Sequence, residues 1–356
     1  MEPFFSIIMP AFNVEKYIGR AIDSVCRQSF IGWELIIIDD CSTDKTKEIV
    51  EHYCCIDSRI SIIHQDSNGG VSAARNIGLK NACGQYVWFM DSDDYVNEDL
   101  LQKAFDSLKI GFGDIILFGL QEEYYNEKED LIYSHIICPP ECKYLNQDQL
   151  RQEIIYLEQQ TLYGYVWNKI YKKEYLDNKN VTFPNARLNE DLMFNVQVFM
   201  DVQQMTILDF APYHYYIKQA RTSLTNSYVP EYYMLHEKRI QMILNQYIYW
   251  KMDTLSVKEI LGALYGRYVL SALQRNCDRN SGMDLKKRIK WCKWVFDRKV
   301  FDELIPFAKA DNSKALKIVL RILKNKNVFL CILMGRIIYI IKKSLPMIYS
   351  RGKEGR

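Results

Sequence analysis

At 356 residues, with 48% hydrophobic and 25% charged side chains, the chain can fill one large domain and an appendage, and is too apolar to be disordered. A formal net charge of +2 excludes a global field for nucleic acid. The ten cysteines form no framework and no C-x-x-C pair, and the opening MEPFFSIIMPAFN is unlike a secretory signal. Reduced thiols, a cytoplasmic location and no structural zinc are therefore expected.

In chain order, short apolar runs alternate with helical periodicity. Residues 4–9 predict a buried strand, followed by Val14, Tyr17, Ile18, Ala21, Ile22 and Val25 at helical spacing. Residues 35–38 predict a second strand ending in Asp39 and Asp40. Ser42 and Thr43 then stand where they can cap a helix carrying Ile49, Val50 and Tyr53. Residues 60–63 give a third strand, 71–82 a helix behind Gly69 and Gly70, and 86–90 a fourth strand stopped by Asp91. Asn97 is placed to cap the next helix, and residues 115–118 add a strand.

Residues 120–220 are less regular, with strand-like pieces at 131–137, 205–208 and 213–217 and helices near 148–158 and 191–200. From about 229 the pattern turns helical and tyrosine-rich, which divides the chain into 1–228 and 229–356. Strands alternating with helices imply right-handed crossovers and a mostly parallel α/β sheet flanked by helices, with a C-terminal helical region. Ligands of such sheets bind outside the carboxyl ends of the strands. Three polar clusters fall there: residues 10–13, Asp39 with Asp40, and residues 91–94. Together they predict a cleft.

Asp91-Ser92-Asp93-Asp94 offers two carboxylates, Asp91 and Asp93, able to share Mg²⁺ or Mn²⁺ with a diphosphate; the plain alternative is an acidic helix cap. Asp39 and Asp40 can accept from a uracil imide or a ribose, or cap the following helix. Pro10 and Phe12 offer a turn and an aromatic edge to a base. The amides behind Gly69 and Gly70, with Arg75, suit a phosphate, unless Arg75 is an exposed helix charge. Glu190 and Asp191 head an apolar helix, where a carboxylate can serve as a general base or simply complement the helix dipole. His214, among tyrosines, reads as structural.

Four segments in order resemble one family: FFSIIMPAFNVEKYIGRAIDSVCRQSF, WELIIIDDCSTDKT, NGGVSAARNIGL and GQYVWFMDSDDYV. They are similar to the family 2 inverting glycosyltransferases of the GT-A fold, densely over residues 4–110. The likeness resumes in VWNKIYKKEYL (166–176) and FPNARLNEDLMFN (183–195). It implies a Rossmann-like nucleotide-diphospho-sugar transferase that uses Mn²⁺ or Mg²⁺ and a nucleotide-sugar donor, UDP-linked by preference. The acceptor would be a glycan or a lipid-linked oligosaccharide. By the same resemblance Asp40 contacts uracil beside Asp39, Pro10 and Phe12 line the base, and Arg75 lies near the nucleotide. Asp91 and Asp93, with Ser92 between them, hold metal and ribose-diphosphate; Asp191 is the catalytic base supported by Glu190. Trp167, Asn168 and Lys169 fall near the acceptor side. The Q-x-x-R-W pattern of processive synthases is absent, which implies one transfer per encounter. Ile217 and Lys218 stand where relatives often carry an arginine.

The end of the chain is basic: Lys314, Lys317, Arg321, Lys324, Lys326, Arg336, Lys342, Lys343, Arg351, Lys353 and Arg356, with Glu354 the one acid. Within it VFLCILMGRIIYII (328–341) is too short to span a bilayer and is interrupted by Arg336. Residues 312–356 therefore read as a peripheral contact with the inner face of the cell membrane, or as a helical subdomain or homo-oligomer interface burying the same stripe. Two rival functions stay open. A sugar-phosphate nucleotidyltransferase normally has a Gly-rich loop where this chain has residues 10–13, and a non-catalytic sugar-nucleotide binder would bind without turnover.

Overall fold

The computed structural model describes residues 2–109, 113–186, 189–218, 230–310 and 313–344. The chain folds as two compact units: Met1–Ile154 with Thr161–Ala220, and Ile155–Gln160 with Arg221–Arg356. The expected boundary at 228/229 falls among residues 219–229, outside the described residues.

The first unit is built on ten strands among the described residues. They are β1 (Phe5–Ala11), β2 (Trp33–Asp39), β3 (Ile60–His64), β4 (Tyr86–Phe89), β5 (Tyr95–Val96), β6 (Ile115–Tyr125), β7 (Leu131–Ile137), β8 (Cys142–Tyr144), β9 (Lys169–Lys172) and β10 (Met205–Lys218). The order is β3-β2-β1-β4-β9-β6-β10-β5, with β7 on β6 and β8 on β10. β3, β2, β1 and β4 run parallel, as the alternation requires. β1 and β4 are buried along their whole length, the pattern of strands covered on both faces. β1 pairs with β4 only as far as Ile8, so Pro10, lacking an N–H, removes no bond from that side.

Beyond β4 the sheet is mixed. β9 lies antiparallel between β4 and β6, and β10 runs parallel to β6. The two pieces expected at 205–208 and 213–217 are one strand with an irregularity between Leu208 and Tyr213. The helices of this unit are α1 (Ile18–Cys26), α2 (Thr46–Ile56), α3 (Val71–Asn81), α4 (Leu100–Lys109), most of α5 (Gln147–Gln159), α6 (Lys173–Asn178) and α7 (Glu190–Phe199). Two expected caps are corrected. Asp44, not Ser42 or Thr43, accepts the Thr46 N–H at 2.9 Å, because Asn13 engages both hydroxyl residues. Asn97 Oδ1 accepts from His214 Nε2 at 2.8 Å instead of capping α4 through the Asn97 side chain.

The second unit is helical: α8 (Tyr232–Tyr249), α9 (Leu255–Arg275), α10 (Leu285–Phe296), α11 (Lys299–Leu304), α12 (Lys314–Lys324) and α13 (Val328–Ser344). α9 is its centre and packs against α8, α11, α12 and α13. Thr254, Asp284 and Ser313 cap α9, α10 and α12 through their side chains. A Cβ at Gly335 would lie 2.9 Å from the Leu273 backbone, so glycine is what lets α13 lie close on α9. Among the described residues no helix is long and apolar enough to cross a membrane. All ten cysteines are free thiols.

Candidate active site

The predicted polar clusters meet along the carboxyl edge of β2, β1 and β4. The loops after β1 and β2 are laced together. Ser42 Oγ accepts the Asn13 N–H at 3.0 Å, Asn13 Oδ1 accepts the Thr43 N–H at 2.8 Å, and Glu15 Oε2 accepts the Lys45 N–H at 3.0 Å. Phe12, on this lacing, is 47% exposed, while Pro10 is buried in β1. Asp39 Oδ1 accepts the Ser42 N–H at 3.1 Å, and its Oδ2 lies 3.2 Å from His64 Nδ1.

Asp40 reaches across to α3. Its carboxylate accepts the Gly69 N–H at 2.7 Å, the Gly70 N–H at 2.8 Å and the Gln65 side-chain amide at 2.7 Å. Gly70 has φ +81°, which turns its amide inward at no steric cost. A carboxylate at the end of the neighbouring strand thus takes the two amides that lead into α3. Three of the roughly four acceptor directions of Asp40 are thereby filled.

Arg75 is the junction of the site. It sits one turn into α3 and is 3% exposed, so it is not a surface helix charge. Nη2 donates to Asp91 Oδ1 at 2.8 Å and Nη1 to Asp191 Oδ1 at 2.5 Å. One guanidinium thus joins the acid that ends β4 to the acid in the first turn of α7, 100 residues further along the chain. Burial opposes the charged form of Arg75, yet Asp191, Asp91 and Glu190 together raise its pKa. Burial also lifts Asp191 above the usual aspartate range, Arg75 pulling it down and Asp91 pushing it up. Glu190 is raised by burial and then by Asp191. The arrangement yields a desolvated carboxylate at a helix start, held in one orientation by a fixed cation.

The Asp91–Asp94 segment concentrates negative charge. Burial, with Asp91 beside it, pushes Asp93 up to about 6. Asp94 is fully buried and accepts from Tyr213 Oη at 2.6 Å and from the Tyr216 N–H at 2.8 Å. Burial and the charges of Asp93 and Asp91 raise its pKa well above the carboxylate range. Ser92 is buried between these acids. Arg20 donates to the Asp93 main-chain oxygen at 2.7 Å and is sandwiched between the Tyr95 and Tyr216 rings. Hard, like-charged oxygens crowded in this way suit a divalent cation, which would relieve their repulsion. Among the described residues no group of three or more His, Cys, Asp or Glu side chains forms a metal cage of its own.

The other wall is aromatic and braced from behind. Trp167 stacks on Tyr165 and Tyr213 at 4.4 and 4.3 Å between ring centroids, and on Tyr215 at 5.4 Å. Lys169 is fully buried, its Nζ donating to the carbonyls of Leu162, Tyr163 and Tyr165 and to Asn168 Oδ1. It braces the loop rather than facing an acceptor.

Asn195 donates to Tyr163, Gly164 and Tyr165 carbonyls and accepts from Tyr171 Oη. Asn76 clamps the Phe183 backbone with two 2.8 Å bonds. His214 bridges Glu123 and Asn97 and stacks on Tyr95, the structural role expected. Arg20, Asn76 and Asn195 were not legible as site residues. Asn195 alone carried a signal, a polar residue four positions after Asp191 and so on the same face of a mostly apolar helix.

A sheet edge that sets a paired-acid segment against a half-buried helix-start carboxylate suits a nucleotide-sugar transferase of the α/β class. Comparison with known proteins makes the assignment: the chain belongs to the family 2 glycosyltransferases and is a glycosyltransferase of GT-A fold. The model of glycosyl transferase family 2 matches residues 6–178. The chain is 32% identical over 297 residues to an uncharacterized glycosyltransferase, EpsJ of Bacillus subtilis, covering 82% of this chain and 83% of that one. It is 30% identical over 229 residues to the poly(ribitol-phosphate) β-N-acetylglucosaminyltransferase TarS of Staphylococcus aureus, 63% of this chain and 37% of TarS. The crystal structure of S. aureus TarS 1–349 in complex with UDP-GlcNAc matches with a TM-score of 0.58 at 22% identity, over 95% of this chain and 91% of that one. That likeness concerns the fold.

Proposed function

We propose that the chain transfers a hexosyl or N-acetylhexosaminyl group from a UDP-sugar to an acceptor hydroxyl, in one displacement that inverts the anomeric centre. The observation that carries this reading is the Arg75 guanidinium shared by Asp91 and Asp191, which puts a donor-side acid and a base in one centre. Asp191 takes the acceptor proton, the freed oxygen attacks the anomeric carbon, and the bond from that carbon to the diphosphate breaks. Glu190 keeps a second negative charge beside the base. Arg75 is a positioning residue: its Nη groups end on carboxylates.

Asp91 and Asp93 would hold Mn²⁺ or Mg²⁺, and a cation bound there neutralises charge on the departing diphosphate. Pro10, Phe12, Asp39 and Asp40 form the nucleoside end, where Asp40 keeps one acceptor direction beyond its three bonds; Ser92 lies under the diphosphate end. We assign the chemistry to residues 1–228 and treat 229–356 as a helical accessory region. The UDP preference draws support from TarS, which is crystallised with UDP-GlcNAc; the acceptor class, a cell-surface glycan or a lipid-linked oligosaccharide, rests on the family resemblance.

The test is a product analysis with UDP-GlcNAc as probe donor, Mn²⁺ and a panel of soluble glycan acceptors. The proposal predicts release of UDP and, by NMR, a β-linked product from the α-linked donor. Pyrophosphate among the products, or retention of the α configuration, would overturn it.

A further inference from the structure

The second unit carries an apolar surface that its own packing leaves open. α13 is apolar around most of its circumference, and one face is covered: Cys331 and Ile332 are buried and Gly335 lies against Leu273 of α9. The opposite face holds Phe329, Leu330, Leu333, Ile337, Ile340 and Ile341, recurring at three- and four-residue spacing. These side chains are exposed, Phe329 by 73% and Leu333 and Ile340 by 52% each. A helix that packs one side in a core normally turns charged residues outward. Here the outward side is a second apolar stripe.

What surrounds the stripe identifies its occupant. No acidic residue occurs between positions 314 and 344. Lys314, Lys317, Arg321 and Lys324 stand exposed on α12, which packs against α13, and Arg336 and Lys343 are exposed on α13 itself. A second copy of the chain would set these cations against identical cations, an arrangement that opposes association. An anionic lipid surface complements them, and a helix lying in the interface plane inserts such an apolar face while its cations stay with the headgroups. Among the described residues α13 is not long and apolar enough to cross a membrane, and a helix lying flat needs only one apolar face of this kind.

We infer that the outer face of α13, rimmed by the cations of α12 and α13, docks the protein on a bilayer bearing anionic lipid. This stands independently of the transferase chemistry, since it uses no residue of the site. Of the segment 312–356 to which a membrane contact was assigned from sequence, residues 312 and 345–356 lie outside the described residues, and 313–344 carry the surface.

The test is co-sedimentation of the full chain with vesicles of phosphatidylcholine alone or mixed with phosphatidylglycerol. The wild type should sediment with the mixed vesicles, remain in the supernatant with the neutral ones and release at high salt. Leu333→Glu with Ile337→Glu should lower the bound partition at least about tenfold with an unchanged melting temperature. Phe329→Ser with Ile340→Ser, which adds no charge, decides the matter should the glutamate pair unfold. Wild type that ignores anionic vesicles, or variants that bind like wild type, would overturn the inference. So would a lipid-free dimer that the same substitutions split into monomers.

Discussion

The two halves of the catalytic sheet solve one problem by different means. In the parallel half, β3-β2-β1-β4, Asp39 and Asp40 sit at a strand end and are held by main-chain amides of the loops beside them, Asp39 by Ser42 and Asp40 by Gly69 and Gly70. In the mixed half, Asp191 owes its place to buried side chains that grip backbone: Asn195 and Lys169 on the 162–165 loop and Asn76 on Phe183. Arg75 is where the halves are joined. The donor side is therefore a property of a topology, and the base side a property of a few polar contacts in a dry interior.

Removing the junction should have the largest effect. Arg75→Ala leaves Asp91 and Asp191 facing each other without a cation, and breaking a buried pair in this way costs about 3–5 kcal/mol. The expected outcome is a fall in the denaturation midpoint together with loss of transfer. Arg75→Lys keeps the charge but lacks the fork that reaches two carboxylates, so it should recover part of the stability and little of the turnover. Unchanged stability in Arg75→Ala would break the claim that the halves are joined there.

A smaller pair of substitutions sharpens the contrast itself. Asn195→Ala takes the donor from the buried Gly164 carbonyl and the acceptor from Tyr171 Oη, while Lys169 still reaches the Tyr163 and Tyr165 carbonyls, and should cost about 1–3 kcal/mol. It should also lower kcat, because the aromatic wall and α7 lose their brace, while donor affinity holds. Ser42→Ala removes one exposed bond of the loop lacing and should cost under about 1 kcal/mol. Urea titration of both variants checks the order; equal costs would mean that the two halves are not held differently.

The same contrast explains what could be read from the chain alone. The parallel half was legible because its signals are local: apolar runs of strand length, Gly69-Gly70 before a helix, acids immediately after a strand. The mixed half was not, because β9 is four residues long and is defined by β4 and β6, distant in sequence. Asp191 as a base came through resemblance, since by residue type alone a helix-dipole acid explains it equally well. Arg75 was picked out as a cation for a phosphate, and the fold sets its guanidinium on Asp91 and Asp191; which anion a buried guanidinium meets depends on the fold, not on its neighbours in sequence. The caps failed for a similar reason. Ser42, Thr43 and Asn97 are good capping residues locally, but Asn13 and His214 compete for them in space.

The central claim is that Asp191 acts on the acceptor while the donor is held from the other half of the sheet. It is tested most directly by comparing UDP-GlcNAc affinity and UDP release in wild type and Asp191→Asn, with Mn²⁺ present. The account predicts donor binding within about twofold of wild type and turnover reduced roughly 10²–10⁴-fold. Wild-type turnover in Asp191→Asn, or loss of donor binding in step with loss of turnover, would contradict it.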